Sequence, residues 1–184
     1  MDKLKKEKLI QLVKQAKNGD EKAFAHLYEY YIAPIFRFIY FRVKNHTEAE
    51  DLTQVVFLKA WNSMEDYKPR GSFSSWLYAI ARNSVIDYWR KNKELNIDAS
   101  MINNLEEDKR PIYDIIEEEE DFKSIKEAIR RLSGDQQEVI TLRFIEGLSN
   151  KEIAEIVDKT EEAVRQLQSR AIKSLRIFLG ENYD

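Results

Sequence analysis

Apolar residues recur at helical intervals along most of the chain. Leu9, Leu12, Val13 and Ala16 share one side of a segment from about Leu4 to Asn18, which Gly19 ends. A second segment starts after Asp20 and reaches about Val43, carrying Phe24, Leu27, Tyr28, Tyr31, Ile35, Phe38 and Ile39; Pro34 is expected to kink or restart it. A third is predicted from Thr47 as N-cap, with Glu50 completing a capping box, to about Met64. Asp66 to Ser72, containing Pro69 and Gly71, reads as a turn, and a fourth helix follows from near Ser74 to about Asn92.

Beyond residue 121 the pattern becomes four shorter helices, at about 121–132, 135–145, 150–157 and 161–179. Ser133 and Gly134 separate the first pair, and Gly147 breaks the second. Ser149 with Glu152 makes a capping box, and Thr160 caps the last helix, with Glu161 and Glu162 in its first turn. The last two helices, joined by Asp158, Lys159 and Thr160, have helix-turn-helix proportions. Val164, Leu167, Ala171, Leu175 and Phe178 form the buried stripe of the second. The predicted fold is all-α: two small helical domains, 1–93 and 122–184, joined by an acidic linker at 94–121, with the helix-turn-helix in the C-terminal domain.

Charge sharpens this division. The net charge of −3 hides a segregated molecule: residues 94–121 carry 11 acidic and 2 basic side chains, whereas residues 66–93 carry 6 basic and 2 acidic. The acidic stretch, with Pro111 and the run Glu117 to Asp121, lacks a sustained apolar period and suits a solvated tether. It could also mimic nucleic acid in a partner's basic channel. Absence of cysteine excludes disulfides and thiol-ligated metal and fits a reducing cytoplasm. No apolar run approaches the roughly 18 residues of a membrane span. With only His26 and His46, and neither beside a nucleophile or carboxylate pair, no catalytic or metal site and no cofactor is expected.

Two helices carry candidate chemistry. In the last one, Glu162, Gln166, Ser169, Lys173 and Arg176 point away from the apolar stripe, with Arg165 and Arg170 on the flanks. A recognition helix needs this arrangement: side chains that donate to or accept from base edges, then cations for phosphates. Glu162 suits cytosine N4, Gln166 adenine, and Arg165 guanine or phosphate. In the fourth helix, Trp76, Tyr78, Tyr88 and Trp89 spread over more than one stripe among Lys68, Arg70, Arg82, Arg90 and Lys91. Rings interleaved with cations suit single-stranded nucleic acid, whose bases stack while cations follow the backbone. A helix-turn-helix regulator acting without polymerase, with residues 1–92 as a dimerisation or sensing bundle, accounts for the C-terminal half only. A pure interaction module is a third possibility.

Three segments then carry a family resemblance: EAEDLTQVVFLKAW from Glu48, SFSSWLYAIARNSVIDYWRK from Ser72, and LSGDQQEVITLRFIEGLSNKEIAEIVDKTEEAVRQLQSRAIKSL from Leu132. Together they resemble bacterial sigma-70 family factors, and the two-domain form resembles the extracytoplasmic-function (ECF) group. The resemblance implies a non-enzymatic factor that binds core RNA polymerase and directs promoter-specific initiation. It implies that Asp51, Leu52, Gln54, Phe57 and Trp61 dock on the β′ clamp coiled coil, and that the C-terminal domain meets the β flap. The loop from Asp66 to Phe73, including Lys68, Arg70, Ser72 and Phe73, would with Trp76 capture an unstacked −10 base. Arg82, Asn83, Arg90 and Lys91 would contact −10 DNA, while Arg165, Gln166, Ser169, Arg170 and Lys173 would read the −35 element, joined by Glu162 on the same face. The implied partners are core polymerase, promoter DNA and an anti-sigma factor, in the cytoplasm and without membrane insertion. Val55 stands where the family often has Glu, and Leu167–Gln168 replaces a pair that commonly includes a basic residue. The chain lacks HxxxCxxC, so zinc-based sensing would fall to a partner.

Overall fold

A computed structural model describes residues 3–68, 71–95 and 120–180, and every regular element among them is helical. The N-terminal half comprises α1 (Lys3–Lys17), α2 (Glu21–Val43), α3 (His46–Asn62) and α4 (Phe73–Leu95). The C-terminal half comprises α5 (Glu120–Arg130), α6 (Gly134–Ile140), α7 (Asn150–Val157) and α8 (Glu161–Phe178). Residues 96–119, most of the predicted linker, lie outside the described residues, as does Arg70.

Local chemistry sets most boundaries. Asp20 caps α2 by accepting from the Lys22 and Ala23 amides. That helix continues through Pro34 without restarting, because Ile35, Phe38 and Ile39 bury the turn that follows. At α3 the expected cap is displaced by two residues. Asn45, not Thr47, is the N-cap, and its side chain accepts from the Glu48 amide at 3.0 Å. Asn45→Ala should therefore lower stability by ~1 kcal/mol. Thr47→Ala should stay within about 0.5 kcal/mol, as for a surface substitution, with both read by denaturant unfolding. The expected helix at 135–145 is also modified: α6 ends at Ile140 and a π-helical turn spans Thr141–Ile145. The Glu146 amide bonds to the Thr141 carbonyl at 3.0 Å, and Gly147 reverses the chain at φ 71°.

The two halves share one apolar core. Leu27, Ile35, Phe38 and Ile39 of α2 and Leu77, Ala81 and Val85 of α4 are continuous with Val139, Leu142, Ile153, Ile156 and Val164. A smaller cluster joins Phe41 of α2 to Ile129, Leu132, Ile140 and Ala171. The tether therefore connects domains that pack directly on each other, α7 against α4 and α6 against α2.

Candidate functional site

Three surfaces hold the residues singled out in the sequence. On the first, α2 and α3 form an open aromatic groove of about 520 Å³ lined by Glu21, Phe24, Tyr28, Gln54, Phe57, Leu58 and Trp61. Phe24 packs on Trp61 at 4.9 Å between centroids, and Tyr28 meets Phe57 edge-on at 4.7 Å. Gln54, Phe57 and Trp61 thus share a face. Asp51 is exposed one turn earlier, whereas Leu52 packs against the core. Leu58, 62% exposed, and the α2 residues escaped the sequence reading. The i, i+4 pair Phe24 and Tyr28 was the available signal.

The second surface is α4 with the turn before it. Here the rings separate. Tyr78 is 2% exposed, Trp76 and Tyr88 are partly buried, and Trp89 is 47% exposed. Phe73 is buried and packs with Trp76 and Tyr67, at 5.4 and 5.8 Å between centroids. Trp76 itself lies 4.8 Å from Tyr67. Lys68, Asn83, Arg90 and Lys91 are exposed, with Arg90 paired to Asp87 at 3.0 Å.

Ser72 and Arg82 meet the C-terminal half instead. The Ser72 hydroxyl donates to Glu152 at 3.1 Å, and Arg82 Nε lies 3.1 Å from Glu138 Oε1. Arg42 Nη1 approaches the same oxygen at 3.2 Å. Neither N–H points along a hydrogen-bond direction, so Glu138 is held by charge attraction alone. Glu146 is held more tightly: Arg37 donates through Nε and Nη2 at 3.3 and 3.2 Å, and the Tyr78 hydroxyl donates at 2.9 Å. Burial pushes the Glu146 carboxyl above its ordinary pKa against the opposing pull of Arg37 and Tyr78. Burial likewise drives the Tyr78 phenol well up, reinforced by the nearby Glu146 charge.

The third surface is the helix-turn-helix. The Ser149–Glu152 capping box forms as expected, Asp158 turns the chain in the left-handed region at φ 54°, and Thr160 caps α8 through the Ala163 amide. Gln168 ties α8 to Asn150 of α7 at 2.9 Å. Val164 and Ala171 are buried, with Leu167 packed on the core and Leu175 and Phe178 on the smaller cluster. Glu162, Arg165, Gln166, Ser169, Arg170 and Lys173 are all exposed on the outward side. Arg165 is steadied by Glu162 at 3.1 Å and Glu161 at 3.5 Å.

Residues 27–94 match the family model of sigma-70 region 2, and residues 128–176 match that of sigma-70 region 4. The chain is 35% identical over 177 residues to the ECF RNA polymerase sigma factor BldN of Streptomyces coelicolor, covering 95% of this chain and 67% of that protein. The chain belongs to the ECF group of the sigma-70 family. The ECF sigma factor SigX of Bacillus subtilis is 31% identical over 163 residues, spanning 85% of this chain and 83% of that one. The fold matches the sigma factor RpoE of Bartonella quintana, solved with the anti-sigma factor NepR, at a TM-score of 0.74 and 24% identity over 88% of this sigma factor and 99% of RpoE. CnrH, solved with the cytosolic domain of CnrY, gives 0.70 at 22% identity over 94% and 97%. As a sigma factor, the protein acts in transcription initiation. No described helix is long and apolar enough to cross a membrane.

Proposed function

We propose that this sigma factor docks on core RNA polymerase through the α2–α3 groove and directs it to promoters by reading two elements. The α8 face reads a −35 duplex, and α4 with its preceding turn holds the −10 strand as it opens. The C-terminal domain meets the β flap. The boundaries follow the sequence division into 1–93, a 94–121 tether and 122–184. The protein works in the cytoplasm without chemistry of its own, under an anti-sigma partner.

One observation carries the reading: a single chain holds both an unfilled aromatic groove and a recognition helix whose six readout side chains all face outward. The groove suits a partner helix, because aromatic anchors in a shallow apolar cleft give the hot-spot energy of protein interfaces. The recognition helix supplies base-reading groups near its start and cations further along. With small basic patches on a chain of net charge −3, each DNA contact is weak alone. Polymerase holds both contacts together, and effective concentration then makes the pair strong.

Gel filtration of the chain with purified core polymerase checks the first step. Co-elution as a stable complex is expected. Separate elution, combined with tight binding of duplex DNA by the chain alone, would favour the polymerase-independent regulator instead.

A further inference from the structure

The carboxylates facing α4 and α2 come from the C-terminal domain, and two of them engage residues assigned to the −10 strand. Glu138 lies against Arg82, and Glu152 accepts from Ser72. The Glu138 and Glu146 side chains are each only 3% exposed, and Arg42 and Arg37 face them from α2. A cation and a hydroxyl suited to phosphate are thus occupied by anions of the same chain. The recognition face of α8 is exposed in the same arrangement. We infer that the C-terminal domain is an internal cover for the −10 face: its carboxylates stand where promoter phosphates would, so the closed chain can take −35 duplex but not the −10 strand. This rests on the assignment of α4 to −10 DNA.

The cover is built to open. Ion pairs taken out of water recover little net energy, because desolvation offsets attraction, but removing one partner leaves an uncompensated buried charge. The four buried or half-buried groups Glu138, Glu146, Arg37 and Arg42 therefore fix how the domains register more than how tightly they hold. When the domains part, each group returns to water and Arg82 is released for a phosphate. Partner binding that favours the separated form would shift the population by its differential affinity for that form.

Two pairs of substitutions test this with opposite electrostatic bias. Glu138→Gln with Glu146→Gln raises the net charge by two, and Arg37→Gln with Arg42→Gln lowers it by two. None of these residues belongs to the DNA-reading sets, and circular dichroism establishes that each variant is helical. Because the chain contains no cysteine, spin labels can be placed at Glu65→Cys and Lys151→Cys, both exposed and one on each domain. Pulsed electron resonance should show one short distance in the parent and a longer, broader distribution in both variants. Retention of a random single-stranded DNA pool should rise about tenfold in both, as expected when a masked state gives way to a competent one. Retention of a random duplex pool should stay the same. Unchanged distances in both variants would overturn the cover while leaving the −10 assignment to transcription assays. Domain opening without any gain for single strands would instead overturn the assignment of α4, and with it the covering role. A gain in the glutamate variant alone would mark a net-charge effect and also overturn the proposal.

Discussion

Leu58→Asp is expected to abolish the action of this sigma factor with polymerase while leaving the fold intact. Leu58 is 62% exposed on α3 and lines the groove beside Phe57 and Trp61, so an aspartate there costs the free chain nothing in packing. In a complex the same position would be desolvated. A carboxylate without a partner in an apolar cleft is unfavourable, and loss of a central anchor alone typically costs 2 kcal/mol or more. The combined penalty of about 2–4 kcal/mol corresponds to about 30- to 1,000-fold weaker binding. Titration of labelled chain with core polymerase measures it, with thermal unfolding as control. Parent-like affinity in the folded variant would remove the groove from the docking surface.

The second large effect belongs to α8. Gln166 sits half-way along its first two turns, exposed and near Glu162 at 3.5 Å. Replacing it with alanine should cost ~1–3 kcal/mol on the preferred −35 duplex, and should relax the preference at the base pair it reads. Arg170→Ala and Lys173→Ala should behave differently. Each should weaken all duplexes alike and reduce the slope of log affinity against log salt by about 0.9. Duplex-binding isotherms at several salt concentrations separate the two kinds of loss. Sequence-independent weakening by Gln166→Ala would mean that the helix docks without reading at that position.

Much of this was legible in the chain because it depends on local chemistry. Ser149 with Glu152, the left-handed Asp158 and the Thr160 cap are contacts within a few residues, and all three form where the pattern predicts. The cap of α3 was not, since Asn45 and Thr47 both suit the role and only the packed start of the helix selects Asn45. The groove was half legible. Its α3 wall has a clear i, i+3, i+7 spacing, but Phe24 and Tyr28 lie in a helix with aromatics on several sides. The interdomain contacts were invisible for a physical reason. Glu138 and Glu146 read as ordinary solvated positions of short amphipathic helices, and their partners Arg37, Arg42, Tyr78 and Arg82 lie 56 to 109 residues away along the chain. The same contacts explain why Tyr78, placed among cations in the sequence, is a core ring, and why Trp89 is the open one.

The account stands or falls on promoter-directed initiation. Run-off transcription from a fragmented genomic DNA library, with core polymerase alone and with core plus this chain, tests it most directly. The prediction is a discrete set of transcripts, present only with the chain and sharing paired upstream elements at a fixed spacing. Unchanged start sites on adding the chain, despite its binding the same DNA by itself, would contradict it.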